Sequence, residues 1–257
     1  MKKRDLLIVI GAVLAGFLLM LGQIGSNAIP AGAWGLHFSG DGKTPTGPAS
    51  ANLLKKYDAI YAGDPGEKVL YLTFDAGYEN GYTAGMLDVL KKHDVKAAFF
   101  LVGDYLERNA DLVRRMVAEG HIVGNHTVSH PDMPSITEFS AFQKELQGVE
   151  TLFQELTGKE LPKFYRPPRG EYSEDNLKHA QSLGYKTVFW SLAYADWDNK
   201  KQPDPVSSVE KLMDRTHNGA VILLHATSKT NSEILDTLLT RWKAEGYRFE
   251  TLDKAFQ

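Results

Sequence analysis

The stretch YLTFDAGYEN, residues Tyr71–Asn80, changes character at its centre, where an aromatic and β-branched run gives way to glycine. Such a run is typical of a buried strand, and the glycine indicates a turn. Asp75 lies at this junction, directly before Ala76. In parallel α/β folds the chemistry lies at the carboxyl ends of strands, so Asp75 is a candidate functional carboxylate. The alternative interpretation is an N-cap for the helix-like segment that follows.

Outward from this stretch, strand-like and helix-like segments alternate along the chain. KVLYLTF, AAFFLV and AVILLH are strand-like, whereas GMLDVLKKHD and SEILDTLLTRWKAEG are helix-like. Several helix-like segments end at a glycine, as helix C-termini often do: Gly120, Gly158, Gly184, Gly219 and Gly246. The alternation predicts an α/β fold in which helices cover a parallel sheet. The number of repeated units favours a (β/α) barrel, either distorted or incomplete, over a doubly wound sheet.

The composition narrows the class of protein. The 257 residues are 43% hydrophobic and 24% charged, which is typical of a globular protein with one sizeable core. Lys and Arg number 29 against 32 Asp and Glu, and basic residues cluster only at the extreme N-terminus, so nucleic acid is not an expected partner. The chain has no cysteine, so any metal must be held by nitrogen and oxygen ligands.

The N-terminus predicts a membrane segment. Lys2, Lys3 and Arg4 precede a continuous apolar run from Leu6 to Gly22. This pattern favours an uncleaved anchor over residues 1–24 with its basic end in the cytoplasm; the alternative is a cleaved signal peptide. Either way, the rest of the chain is expected outside the cytoplasm. Residues 25–66 are rich in Gly, Pro and Ser and are interpreted as a linker and lead-in, followed by one domain over residues 67–257.

Most strand-like runs end at an ionisable or metal-ligating side chain. The residues at or just beyond these ends are Asp75, His126, His130, Arg166, Asp196, Trp197 and His225. Random placement would rarely produce this pattern, which therefore predicts an active site at one edge of the sheet. In HTVSH the two imidazoles are four residues apart, so on one helical turn both could reach a metal ion. Taken alone, each residue also has an ordinary structural explanation.

Five ordered motifs, TFDAG, HTVSH, RPPRG, DW and LLH, resemble those of the NodB-homology polysaccharide deacetylases of carbohydrate esterase family four. The resemblance covers roughly Lys68 to Phe256. Two longer runs, KKYDAIYAGDPGEKVLYLTFDAGYENGYT and VFWSLAYADW, look most like the bacterial peptidoglycan N-acetylmuramic acid deacetylases of spore-cortex maturation, whose product cyclises to muramic-δ-lactam. The resemblance implies a distorted (β/α) barrel, a divalent metal, commonly zinc, and hydrolysis of an N-acetyl group on an amino sugar.

The resemblance also implies a role for each residue. His126 and His130 would hold the metal, and Asp75 would be the general base. The residues expected to assist them are Arg166 as the partner of Asp75, His225 as the acid for the leaving amine, Asp196 as its orienting carboxylate, Arg169 as the oxyanion N–H donor, and Trp197 as a substrate contact. Arg169 is also expected to recognise the lactyl carboxylate that distinguishes muramic acid from glucosamine.

One position departs from the family pattern. Most members have a second acid directly after the base, where it serves as a third protein ligand to the metal, and here that position is Ala76. The muramic acid subgroup tolerates a non-acid there. The expectation is therefore a membrane-anchored or secreted deacetylase that acts on peptidoglycan glycan strands. The rivals are an N-acetylglucosamine deacetylase of peptidoglycan or chitin-type glycans, and a weakly active wall-binding protein.

Overall fold

The structure is a computed structural model that describes residues 31–40 and 42–256. Over these residues, no helix combines the length and the apolar character needed to cross a bilayer. The predicted membrane segment at residues 1–24 lies outside the described residues.

Helices and strands alternate along the described chain, as the sequence predicts. The strands are β1 (Gly32–Ala33), β2 (Ala59–Ile60), β3 (Val69–Ala76), β4 (Ala98–Leu101), β5 (Ile122–Asn125), β6 (Phe164–Tyr165), β7 (Glu171–Tyr172), β8 (Lys186–Val188), β9 (Ala220–His225) and β10 (Arg248–Phe249). The α-helices are α1 (Ala51–Lys55), α2 (Thr83–Lys92), α3 (Gly103–Arg108), α4 (Ala110–Ala118), α5 (Phe139–Thr157), α6 (Glu174–Ser182), α7 (Pro205–Asp214) and α8 (Lys229–Ala244). Short 3₁₀ helices cover Met133–Ser135, Pro168–Gly170 and Leu252–Phe256.

The main sheet is parallel and curls into an incompletely closed barrel. Its strands follow the order β10-β3-β4-β5-β6-β8-β2, and β9 pairs with β3. Between β8 and β9 the barrel closes through an isolated bridge from Leu192 to Ile222 instead of a continuous ladder. The predicted α/β fold with an incomplete (β/α) barrel is confirmed.

The central strand β3 is buried along its whole length, and its side chains alternate between two apolar layers. Leu70, Leu72 and Phe74 pack in the larger core, which also contains residues of α2, α4, α5, α7 and α8. Tyr71 packs in a second cluster with residues of β4, β8 and β9. Ala76 belongs to the larger core and is 1% exposed. Its methyl group therefore lies in the same apolar layer as the preceding even-numbered side chains.

Gly219 does not end a helix as the sequence predicts, because α7 ends at Asp214 with Arg215 as its C-cap. Its φ of 72° is in the left-handed region, and a Cβ atom there would lie 2.7 Å from the carbonyl oxygen of Asp64. The Gly219 carbonyl also accepts a hydrogen bond from the N–H of Gly63. Glycine is therefore required because two backbone segments approach closely at this point.

The lead-in from residue 31 packs against the barrel. β1 pairs antiparallel with β7, and Trp34 lies in the core with 4% of its surface exposed. The indole stacks on Phe189 at a centroid distance of 4.5 Å, and its Nε1–H donates to the Trp190 carbonyl at 2.8 Å. The domain boundary at residue 67 stays a prediction, and residues 31–66 supply buried side chains on its N-terminal side.

Trp34→Ala should lower the free energy of unfolding by about 3–5 kcal/mol, the usual range for removing a buried tryptophan. The change deletes the ring that packs on Phe189 and leaves the Trp190 carbonyl without its donor. Urea unfolding followed by circular dichroism measures this difference.

Val206→Ala is the matched control, because Val206 is 72% exposed and should change the stability by less than about 0.5 kcal/mol. A Trp34→Ala effect as small as that of the control would mean that the lead-in does not stabilise the barrel.

Candidate active site

The strand register brings together residues that are far apart in the sequence. Asp75 of β3 pairs with Phe100 of β4 on one side and with His225 of β9 on the other. The carboxyl ends of these strands border a cavity of about 970 Å³. Six of the residues singled out from the sequence line it: Asp75, His126, His130, Arg169, Trp197 and His225.

Arg166 lies beneath this cavity and is completely buried. Its Nη1 donates to Oδ1 of Asp75 at 2.7 Å, while Nε donates to the Val188 carbonyl at 3.0 Å and Nη2 to the Phe189 carbonyl at 3.3 Å. The guanidinium carbon lies 4.2 Å from the centroid of the Phe100 ring. The charge is thus paired, hydrogen-bonded and covered by an aromatic face, which a buried guanidinium requires.

Asp75 is held in its ionised form. Burial alone would raise the pKa of this carboxyl group, but the adjacent Arg166 guanidinium, assisted by His126 and His225, lowers the pKa below its usual range. Because Arg166 contacts Oδ1, the second oxygen, Oδ2, remains on the side of His126, 3.7 Å from its Nε2.

His126 is fixed in one tautomer by the backbone. Its Nδ1 lies 2.8 Å from the Arg166 carbonyl, which can only accept, so Nδ1 carries the proton and Nε2 keeps its lone pair. Burial lowers the pKa of His126 to about 4, more than the Asp75 charge raises it. The imidazole is therefore neutral near pH 7 and available as a ligand.

His130 reaches the same site by a different route from the predicted one. The expectation of a shared helical turn is wrong, because Thr127 and His130 have φ values of 69° and 55° in a loop that follows β5. Asn125 Oδ1 accepts from the Thr127 N–H, and Thr127 Oγ1 accepts from the His130 N–H. These bonds stabilise the loop, and the two imidazole centroids lie 4.9 Å apart. Burial lowers the pKa of His130 as well.

Two neutral imidazoles on one wall of a cavity fit a divalent metal that prefers nitrogen ligands. The described residues contain no group of three or more His, Asp or Glu side chains placed to hold an ion. Ala76 has only a buried methyl group at the position of the family's third ligand. His126 and His130 are thus the residues of this cavity whose chemistry fits a metal ion.

The cavity also contains a second imidazole–carboxylate pair, on the strand next to that of Asp75. His225 Nδ1–H donates to Asp196 Oδ1 at 2.7 Å, and the His225 backbone N–H donates to Oδ2 at 2.8 Å. Asn231 Nδ2 donates to the same Oδ2 at 2.6 Å. Burial by itself would lower the pKa of His225, but the Asp196 carboxylate outweighs burial and raises the pKa above its ordinary value. His225 is thus favoured in its protonated form, unlike His126.

Arg169 and Trp197 lie at the rim of the cavity. Arg169 has a left-handed φ of 56°, and its side chain, 53% exposed, approaches Glu171 with Nε 3.6 Å from Oε2. Trp197 is 64% exposed, an unusual exposure for a tryptophan that lines a cavity. Both positions are open to a ligand of the size of a sugar.

Sequence reasoning missed several residues of this site. Phe38, Tyr194 and Arg215 also line the cavity, and Asn231 fixes Asp196. Phe38 lies in a Gly-rich segment with no strand pattern, and Arg215 follows a helix whose pattern indicates only packing. Tyr78, which no sequence pattern singles out, also lines the cavity and is 49% exposed.

The comparisons with known proteins agree with this geometry. The family described as Polysaccharide deacetylase matches residues 62–188. The chain is 42% identical to the peptidoglycan-N-acetylmuramic acid deacetylase PdaA of Bacillus subtilis, over 93% of this chain and 92% of PdaA. It is 35% identical to a peptidoglycan-N-acetylglucosamine deacetylase of Bacillus cereus, over 79% of this chain and 74% of that protein.

The solved structure of Bacillus subtilis PdaA, a family 4 carbohydrate esterase, superimposes with a TM-score of 0.84 at 41% identity. The match covers 90% of this chain and 98% of the PdaA chain. With similarity of this extent in sequence and fold, the chain belongs to the polysaccharide deacetylase family, the family 4 carbohydrate esterases.

Proposed function

We propose that this protein is a metal-dependent hydrolase that removes the N-acetyl group from N-acetylmuramic acid in peptidoglycan glycan strands. The observation that carries the chemistry is the meeting, in one cavity, of an ionised Asp75 with His225, whose pKa is raised by Asp196, and of two neutral imidazoles beside Asp75. The extensive similarity to PdaA supports muramic acid as the sugar.

Asp75 acts as the general base. Its Oδ2 accepts a proton from the water that attacks the acetamide carbon, because Oδ1 is occupied by Arg166. Arg166 keeps the carboxylate ionised and fixes its orientation, which is a positioning role. The tetrahedral oxyanion that forms is met by the backbone N–H of Arg169.

His225 acts as the general acid. Its Nδ1–H is held by Asp196, so Nε2 carries the proton that is transferred to the leaving nitrogen when the carbon–nitrogen bond breaks. The products are acetate and the free amino sugar. Asp196 orients the ring and favours its charged form, and Asn231 in turn holds Asp196. Trp197 offers its exposed ring to a sugar face.

His126 and His130 hold a divalent metal, for which zinc is the expected identity, since nitrogen ligands in a cysteine-free site suit it. When bound, such a metal polarises the acetamide carbonyl and lowers the pKa of the nearby water. His126 is prepared for this role by the hydrogen bond that its Nδ1–H donates to the Arg166 carbonyl.

The cellular setting is part of the proposal. The basic flank and apolar run at residues 1–24 support a membrane anchor or signal segment, which would locate the catalytic domain outside the cytoplasm, where peptidoglycan lies. The resemblance of two sequence runs to the muramic acid deacetylases of spore-cortex maturation supports a place in that process.

Asp75→Asn should reduce the deacetylation of muramic acid by about 10²–10⁴-fold, because the amide cannot accept the proton from water. Mass spectrometry of peptidoglycan fragments after incubation with the protein measures the loss of acetyl groups from muramic acid. Asp111→Asn, in a fully exposed side chain, is the matched control and should retain full activity. Near-normal turnover by Asp75→Asn would remove Asp75 from the mechanism, and wild-type activity on glucosamine alone would overturn the substrate assignment.

Asp196→Asn should lower the pKa of His225 and move the alkaline limb of the kcat profile to lower pH. The sign follows from the raised pKa, because a general acid works while protonated and its activity is lost as the pH rises through that value. NMR titration of the histidine ring nitrogens measures the pKa directly, with the other histidine signals as internal controls. An unchanged pKa in the variant would show that Asp196 does not stabilise the charged imidazole.

Chelation should inactivate the protein reversibly, and His130→Ala should lower the amount of metal bound per chain in elemental analysis. Two protein ligands hold an ion less firmly than three, so removal of one should have a large effect. His37→Ala is the matched control, because this exposed histidine lies outside the cavity lining. Full activity in a protein shown to contain no metal would contradict the proposal.

A further inference from the structure

Arg215 differs from the other arginines of the described chain. Each of the others has a carboxylate within ion-pair distance: Arg108, Arg114, Arg115, Arg166, Arg169, Arg241 and Arg248. Among residues 31–40 and 42–256, Arg215 alone has none. It is partly buried, and it lines the cavity that contains Asp75 and His225. A guanidinium in such a place normally has an anionic partner.

Arg215 is nevertheless held firmly in position. Its Nη1 donates to the Ala193 carbonyl at 3.0 Å, and its guanidinium carbon lies 4.4 Å from the centroid of the Phe38 ring. These two contacts use one N–H and one face of the planar group. Its other guanidinium N–H groups have no acceptor in the described part of the chain. A rigid guanidinium with free donors is prepared to bind a ligand, because little side-chain entropy remains to be lost.

The charges around the cavity favour an anion. Among the residues that the structure describes, Asp75 is the only acid in the cavity lining, and Arg166 already balances its charge. Arg169, the other arginine of the lining, has Glu171 3.6 Å away. The uncompensated charge of the lining is therefore that of Arg215, beside the apolar side chains of Leu36 and Phe38, which strengthen electrostatic attraction by reducing contact with water.

We infer that Arg215, stacked on Phe38, forms an anion subsite of the catalytic cavity that binds a carboxylate carried by the sugar substrate. The inference rests on the proposed function and refines it, because muramic acid differs from glucosamine by a lactyl ether that ends in a carboxyl group. A planar guanidinium fork matches a planar carboxylate through two parallel hydrogen bonds. By this inference Arg215, and not Arg169, is the main residue that binds the lactyl carboxylate, since Arg169 already has Glu171 as a partner.

The test separates binding from turnover. Full-length wild-type protein and Arg215→Gln are titrated with N-acetylmuramic acid and with N-acetylglucosamine, and dissociation constants are measured by calorimetry or NMR. The wild type should prefer the acidic sugar, and Arg215→Gln should lose about 10- to 100-fold of affinity for it, the usual range for a hydrogen bond to a charged group. Affinity for N-acetylglucosamine should change less than about twofold, since a neutral sugar offers the fork no charge.

Matched variants distinguish a direct effect of Arg215 on binding from an indirect one. Arg114→Gln removes an exposed arginine outside the cavity lining and should leave both affinities unchanged. Arg169→Gln should reduce the preference for the acidic sugar less than Arg215→Gln does. Phe38→Leu, which removes the stacking ring and keeps the charge, should cause a smaller loss in the same direction. It also serves as the test if Arg215→Gln does not fold.

The outcomes distinguish this inference from the proposed function. The anion subsite is overturned if the wild type binds the two sugars with equal affinity. It is also overturned if the variants of Arg215 and Phe38 still prefer N-acetylmuramic acid over N-acetylglucosamine. Both results hold independently of the measured turnover. If only N-acetylglucosamine in peptidoglycan is deacetylated, the proposed substrate is wrong. In that case, loss of the binding preference for N-acetylmuramic acid in Arg215→Gln would still support the subsite.

Discussion

The buried ion pair between Arg166 and Asp75 is the interaction on which the rest of the structure depends. The guanidinium occupies the interior of the barrel, where an apolar side chain would otherwise lie, and binds β3 through Asp75, the end of β8 through Val188 and β4 through the Phe100 ring. Removing one partner of such a pair costs about 3–5 kcal/mol, because the other charge is left buried and unpaired. The same residue orients His126 through its backbone carbonyl. Arg166 therefore couples the packing of three strands, through its side chain, to the position of Asp75, and it orients His126 through its backbone carbonyl.

The surroundings of Asp75 and of the three imidazoles shift their pKa values in different directions. Asp75 is ionised beside a guanidinium, whereas His126 is neutral because burial lowers its pKa to about 4. Burial alone would lower the pKa of His225, but the adjacent Asp196 carboxylate raises it above its ordinary value. A base and an acid can therefore exist at the same pH on two strands that are neighbours in one ladder. This separation of pKa values does not depend on a second carboxylate at position 76.

The sequence predicted those parts of the fold and site that depend on local patterns. Strand ends are marked by an abrupt change from apolar to ionisable residues, and parallel strands bring such ends to one edge, so the meeting of Asp75, His126 and His225 was predictable. The loop that carries His130 was not predictable, because two left-handed residues there are stabilised by Asn125 and Thr127 through hydrogen bonds that leave no periodic signal. The position of Arg215 depends on Phe38, which comes from a segment without regular structure.

The packing of the lead-in also has a consequence for the order of folding. Trp34 is separated by 156 residues from the carbonyl group to which it donates, so this contact contributes to a high contact order. A chain synthesised from its N-terminus exposes Trp34 long before β7 and the segment around Phe189 exist. Closing so long a loop is entropically costly, and the barrel strands between these points have nearer partners. The wall of the cavity that contains Phe38 should therefore be completed late, after the strand ends that carry Asp75 and His225 have come together.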